Sequence, residues 1–142
     1  MPYAEKTRVP VEQSRGEIEK LVNKHKGRSF GYFGEKGRAI IVFEIGERRI
    51  RFDLPLPETN SKNADEKVTR SRWRALLLCI KAKLEAVESN IESFEEAFLA
   101  HVVMPDGETV GSKIKPQIDT AYKTNSMVPL LPSGKIARVK AE

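Results

Sequence analysis

The side chains best suited to chemistry in this chain are arginines that can be brought beside an aromatic ring. Arg70 and Arg74 stand four residues apart, and Lys81 follows two helical turns beyond Arg74. Arg38, Arg49 and Arg51 would gather beside Phe33 if their segments pair as strands of one sheet. A guanidinium offers a planar fork of donors that matches a phosphate, and a neighbouring ring offers a surface on which a base can stack. These seven residues are therefore the candidate site for nucleic acid or a nucleotide. The competing reading is a solvated surface held together by ion pairs, such as a cross-strand pair between Glu44 and Arg49.

Other chemistries find less support in the residues. His25 and His101 are far apart in the chain and neither has a partner at metal-ligand spacing, so both read as structural and no metal or cofactor is expected. The chain contains no P-loop or H-E-x-x-H pattern, and its one G-x-S-x-G string, Gly27 to Gly31, runs into the segment read as the first strand rather than a strand-to-helix turn. Gly31, Gly34 and Gly37 recur every three residues, which serves a bend and a turn rather than a dinucleotide site. Glu92, Glu95 and Glu96 flank a helix start, where the helix dipole accounts for them. Cys79, the single cysteine, lies within the longest apolar run, Ala75 to Ile80, and reads as core packing in a reducing compartment. No nucleophile and base can be assembled, so an enzyme is not expected.

The 142 residues fit one domain, with 39% hydrophobic and 32% charged residues. Residues 1–83 carry 19 Lys/Arg against 11 Asp/Glu and residues 84–142 carry 6 against 9, so that +8 and −3 make up the net charge of +5. A basic N-terminal part points to an anionic partner. With no run of about 18 apolar residues and no signal-like start, a membrane is not expected, and the bacterial cytoplasm is the expected location.

The elements that would position these residues follow from pattern. Residues 1–13 read as an extended lead. Ser14 and Glu17 form a capping box for a helix at about 15–26, with Ile18, Leu21, Val22 and His25 at helical spacing and Gly27 at its end. Three strands follow: Ser29–Phe33, Arg38–Ile45 and Arg48–Leu54, joined by a four-residue turn Gly34–Gly37 and a two-residue loop Gly46-Glu47. That loop sets Ile45 opposite Arg48, Phe43 opposite Ile50, Ile41 opposite Phe52 and Ala39 opposite Leu54. The face they share, joined by Phe30 and Tyr32, is the core face. Phe33, Arg38, Ile40, Val42, Glu44, Arg49, Arg51 and Asp53 occupy the other.

Residues 55–69 read as a mobile loop. A long helix at about 66–90 carries the stripe Trp73, Leu76, Leu77, Ile80, Leu84, Val87 and Ile91, which would cover the sheet, with Arg70 and Arg74 opposite it. Ser93 and Glu96 open a shorter helix to about Val102, with Phe94, Phe98 and Leu99 inward. A weaker helix lies near 110–123, where Pro116 should occupy the first turn or break it. Residues 127–134 are extended, and 133–142 form a flexible basic tail. The fold class is α+β: a three-stranded antiparallel meander packed on a long amphipathic helix, with flanking N- and C-terminal helices. Open sheet edges make a homo-oligomer an expected state.

Two local resemblances are incomplete. Arg28 to Phe33 is similar to the first part of the RNP1 signature of RNA-recognition motifs, but the match ends at Glu35, where an aromatic belongs. The element order is nearer a double-stranded-RNA-binding domain, whose loop motifs are missing. A broader resemblance is carried by RWRALLLCIKAKLEAVE (Arg72–Glu88), VPVEQS (Val9–Ser14), MPDGETVG (Met104–Gly111) and PLLP (Pro129–Pro132). Together they resemble a family of small proteins encoded by bacteriophages and prophages. The resemblance implies an accessory role in the host cytoplasm and carries over no activity or functional residue. Two functions are then expected: a nucleic-acid-binding accessory protein, or a counter-defence protein that binds a host immune protein or sequesters a nucleotide messenger.

Overall fold

The computed structural model describes residues 9–127. Helix α1 spans Val11–Lys24, strands β1, β2 and β3 span Gly27–Glu35, Arg38–Ile45 and Arg48–Pro55, and helix α2 spans Lys62–Glu88. A short helix α3, Phe94–Phe98, runs into a 3-10 turn at Leu99–His101, and helix α4 spans Val110–Thr124. The sheet is antiparallel in the order β1-β2-β3. This is the α+β meander expected, with α2 covering one face. No helix among the described residues is long and apolar enough to cross a membrane. The expected basic tail and most of the extended lead lie outside the described residues.

The second hairpin has the register that its two-residue loop dictates: Ile45 opposite Arg48, Phe43 opposite Ile50, Ile41 opposite Phe52, Ala39 opposite Leu54. The first hairpin differs. Its loop is Lys36-Gly37, with Glu35 opposite Arg38, and the strand extends two residues further than expected. Gly37 and Gly46 both take the left-handed backbone (φ +86° and +62°) that tight hairpin turns require. A shift of two residues leaves each side chain on the face assigned to it, so Phe30 and Tyr32 still share the core side. Tyr32 nonetheless is 50% exposed, because β1 is an edge strand and the helices do not close over it.

The core joins Ile18 and Val22 of α1, Ile41, Phe43, Ile50 and Phe52 of the sheet, Trp73, Leu77, Ile80 and Leu84 of α2, and Phe98 of α3. Phe43, on the central strand, is fully buried and lies 6.4 Å from the Phe52 ring and 6.1 Å from that of Phe98. The edge of β3 is partly covered: Ile50 bridges to Val102, and the Val103 N–H donates to the Arg49 carbonyl at 2.8 Å.

Several local expectations are corrected. Helix α1 starts at Val11 with Pro10 at its N-cap, and Ser14 is a fully buried residue inside it rather than a cap. The stripe of α1 begins at Val11, seven residues before Ile18, so the first turn is held by packing. At its other end Lys26, not Gly27, takes the left-handed conformation (φ 67°). Gly27 is needed for space instead, since a Cβ there would lie 2.2 Å from Val22 Cγ1 and 2.6 Å from the Val22 carbonyl oxygen. Gly27→Ala is expected to cost about 1–3 kcal/mol by overpacking, read as a lowered urea midpoint with an unchanged slope.

The stretch expected to be a loop at 55–69 is helical from Lys62. Ser61 Oγ accepts from the Ala64 N–H at 3.2 Å, and Asp65 takes hydrogen bonds from the Thr59 N–H (2.9 Å) and hydroxyl (2.6 Å). Cys79 is exposed rather than packed in the core, because six consecutive apolar residues surround a helix and only some can face inward. Ile91 lies beyond the end of α2 and is 76% exposed. Helix α3 has the expected capping box of Ser93 and Glu96 but ends at Phe98, and the 3-10 turn leaves Leu99 at the surface. Helix α4 continues through Pro116, which removes one backbone hydrogen bond at an exposed site.

Candidate functional site

The seven candidate residues do not form one surface. Arg38, Arg49, Arg51 and Phe33 lie on the outer face of the sheet, while Arg70, Arg74 and Lys81 belong to the helix layer on the other side. On the sheet the arginines are matched by acids. Arg49 donates to Glu44 Oε2 from Nη2 (3.0 Å) and Nε (3.2 Å). Arg38 pairs with Glu35 and lies 3.6 Å from Asp53, and Arg51 lies 3.6 Å from Asp53 and donates to the Gly107 carbonyl at 2.9 Å. The hydrogen bonds from Arg49 and from the Ser29 hydroxyl hold the Glu44 carboxyl below its ordinary range. Phe33 is 58% exposed among these pairs. This face is the ion-paired surface of the competing reading.

The helix layer differs. Arg70 and Arg74 do not stand opposite the Trp73 stripe. Arg70 is seven residues from Leu77, hence two turns away on the same side, and Arg74 borders the stripe. Both are half-buried against α1. Arg74 Nη1 meets Glu17 Oε2 at 3.3 Å. Arg70 lines a shallow groove with Val11, Glu12, Asp65 and Glu66, yet forms no ion pair among the described residues. Lys81 is exposed two turns beyond Arg74, with no ion pair among the described residues.

A third half-buried arginine lies on α1. Arg15 lies with its guanidinium carbon 3.8 Å from the centroid of Tyr32 and 5.1 Å from that of Trp73, and the two rings meet edge-on at 6.2 Å. The Nε atoms of Arg15, Arg70 and Arg74 are all buried without a hydrogen-bond partner among the described residues. Leaving such a donor unsatisfied costs about 1–3 kcal/mol, more where it carries charge. Three arginines thus lie where α1 packs on α2, Arg15 beside the half-exposed Tyr32, Arg74 paired with Glu17, and Arg70 in the groove that Glu12, Asp65 and Glu66 also line. An anion at the surface of the seam would add counter-charge and acceptors for the terminal Nη groups.

Arg15, Glu17 and Tyr32 were not among the expected site residues. Arg15 carried a signal, because it falls four residues after Val11 and three before Ile18, within the apolar stripe of α1. Tyr32 did not, since only the fold brings it to Arg15.

His25, Glu95 and His101 make contacts within the fold. No group of three His, Cys, Asp or Glu that could hold a metal occurs among the described residues. His25 Nδ1 lies 2.9 Å from the Leu21 carbonyl and its Nε2 lies 3.1 Å from Glu88. Glu95 pairs with Arg48. His101 stacks on Phe52 with centroids 3.9 Å apart. Burial lowers its pKa from 6.5, aided by nearby Lys83 and opposed by a backbone hydrogen bond with Arg51 and by Asp53. Below 6.5 the unfolded chain therefore binds a proton that the folded chain resists. Stability should fall as the pH drops from neutrality through that value and level off below the folded pKa. Urea unfolding from pH 7.5 to 5 should show this slope, weakened in His101→Gln.

Comparisons of the chain with family models, with curated proteins and with solved structures find no match.

Proposed function

We propose that the chain is a non-enzymatic, phage-encoded accessory protein that binds nucleic acid along the α1–α2 seam. The observation that carries this reading is the set Arg15, Arg70 and Arg74 where α1 packs on α2, three half-buried arginines of which only Arg74 has an ion pair among the described residues, with Glu12, Asp65 and Glu66 also lining the groove beside Arg70. The Nε atoms themselves are buried, so phosphate oxygens would be met by the terminal Nη donors of these half-buried arginines, and the half-exposed Tyr32 ring gives a base a place to stack. The resemblance to small phage proteins fits the same role. Fluorescence anisotropy with labelled single- and double-stranded oligonucleotides tests it. Binding is expected at about 20 mM salt and, with three phosphates neutralised, should weaken on the order of 10²-fold per tenfold rise in salt. Absence of binding to DNA and RNA at low salt would overturn the proposal.

A second reading keeps the phage setting and changes the partner to a host immune protein or a nucleotide messenger. It is favoured by an open groove of about 730 Å³ at the tip of the second hairpin, with Ile45, Leu84, Val87 and Phe94 at its floor and Lys24 and Lys26 among its lining residues. Calorimetric titration with mono- and cyclic dinucleotides, in which binding survives Arg15→Ala/Arg70→Ala, would favour this groove over the seam.

A further inference from the structure

We infer that the outer edge of β1 is the interface at which a second copy of this chain joins, giving a continuous six-stranded sheet. The two edges of the sheet are treated differently by the fold. Along β3 the returning segment at Val102 and Val103 takes up the Arg49 carbonyl and bridges to Ile50. Along β1 no such cover exists among the described residues.

The outward-pointing groups can be identified. Glu35 and Arg38 close a two-residue hairpin, so they form a hydrogen-bonded pair, and the alternation of an antiparallel ladder turns Ser29, Gly31, Phe33 and Glu35 towards β2. The same rule applied to the second hairpin turns Arg49 outward from β3, where its carbonyl does meet Val103. Phe30, Tyr32 and Gly34 therefore present their N–H and C=O groups at the free edge, with no hydrogen-bond partner among the described residues.

Sheet edges are ordinarily guarded by proline, by charge or by brevity. The central stretch of β1, Ser29-Phe30-Gly31-Tyr32-Phe33-Gly34, has neither charge nor proline within a nine-residue strand, and its bulge is confined to the Gly27–Ser29 end. Tyr32 and Phe33 are 50% and 58% exposed on opposite faces.

Charge placement selects a second copy as the occupant. The strand ends are opposite in sign, Arg28 at one, 4.0 Å from Glu44, and Glu35 at the other, paired with Arg38, and antiparallel self-pairing sets each Arg28 opposite the partner's Gly34 and diagonal to the partner's Glu35, adding a cross-copy pair to these. The twofold register that does this places Phe30 opposite the partner's Tyr32, an aromatic cross-strand pair on the helix side. Gly31 then faces its own copy at the axis as a non-hydrogen-bonded pair, where strands approach most closely. Lys26 and Lys36, which also draw near in this register, lie in turns, and Lys36 is 3.8 Å from Glu58. The pairing leaves both α1–α2 seams on the same side of the extended sheet.

Sedimentation equilibrium and oxidative cross-linking test the interface. The 16.0 kDa chain is expected to sediment with twice that mass at tens of micromolar. A Cβ at Gly31 would meet nothing within 4 Å, so substitutions there leave the protomer intact. Gly31→Lys, which sets two like charges face to face, should shift the protein to monomer with an unchanged circular dichroism spectrum. Gly31→Cys on a Cys79→Ser background should give a disulfide-linked dimer in air, whereas Cys79→Ser alone should not. A wild-type protein that stays monomeric at 200 μM (about ten times the working concentration) would overturn the inference. So would a dimer that Gly31→Lys leaves intact.

Discussion

Phe43→Ala should remove most of the stability of the domain. The ring is fully buried on the central strand, opposite Phe30 on one side and Ile50 on the other, and it packs against Phe52 and Phe98. Truncation loses the transfer energy of the ring and leaves a cavity that a sheet held by two ladders cannot collapse to fill, a cost of about 3–5 kcal/mol. Domains of this kind have only about 5–15 kcal/mol in total. Urea unfolding followed by tryptophan fluorescence should show a correspondingly lower midpoint, since Trp73 lies in the same core. Phe33→Ala on the outer face is the control, with an expected change within about 0.5 kcal/mol. A loss below about 1 kcal/mol for Phe43→Ala would mean that the aromatic cluster does not hold the two layers together.

The second large effect concerns binding. Arg15→Glu/Arg70→Glu should weaken nucleic-acid affinity by 10²-fold or more, because each charge-assisted hydrogen bond contributes about 1.5–3 kcal/mol and each reversal adds repulsion. Arg15→Lys/Arg70→Lys keeps the charge and should retain much of the affinity. Arg38→Ala/Arg49→Ala should change it less than about threefold, because those guanidiniums are held by Glu35, Glu44 and Asp53 and gain little from a further anion. Equal losses from the sheet and seam variants would mean that net charge alone drives binding. Thermal unfolding of each variant separates a binding defect from a folding one.

The contrast between the two arginine groups shows how far the sequence could be read. The second hairpin was legible to the residue, because Gly46-Glu47 permits one loop length and the strands alternate cleanly. The first was legible only in its faces: Gly34 and Gly37 both invite a turn, and the two solutions differ by two residues, which preserves alternation. On the outer face, the Glu44–Arg49 pair followed from the register, and with it the neutral character of that surface.

The seam was half legible. Arg70 and Arg74 are legible as candidates, but their side of α2 is not until Leu77, two turns beyond Arg70, is seen to share its side. Arg15 was hidden by reading Ser14 as a cap, which began α1 too late and left its arginine outside the stripe. Its contact with Tyr32 joins a helix to an edge strand, and no local pattern encodes that meeting. Cys79 failed for a related reason: an unbroken apolar run indicates a helix but not which of its members face inward.

The salt dependence of oligonucleotide affinity, compared between wild type and Arg15→Ala/Arg70→Ala/Arg74→Ala, tests the seam most directly. The wild type should give a log–log slope of about −2 to −3, and the triple variant a slope near zero with weak residual binding. An equally steep slope in the triple variant, or a wild type that binds no oligonucleotide at low salt, would contradict the assignment.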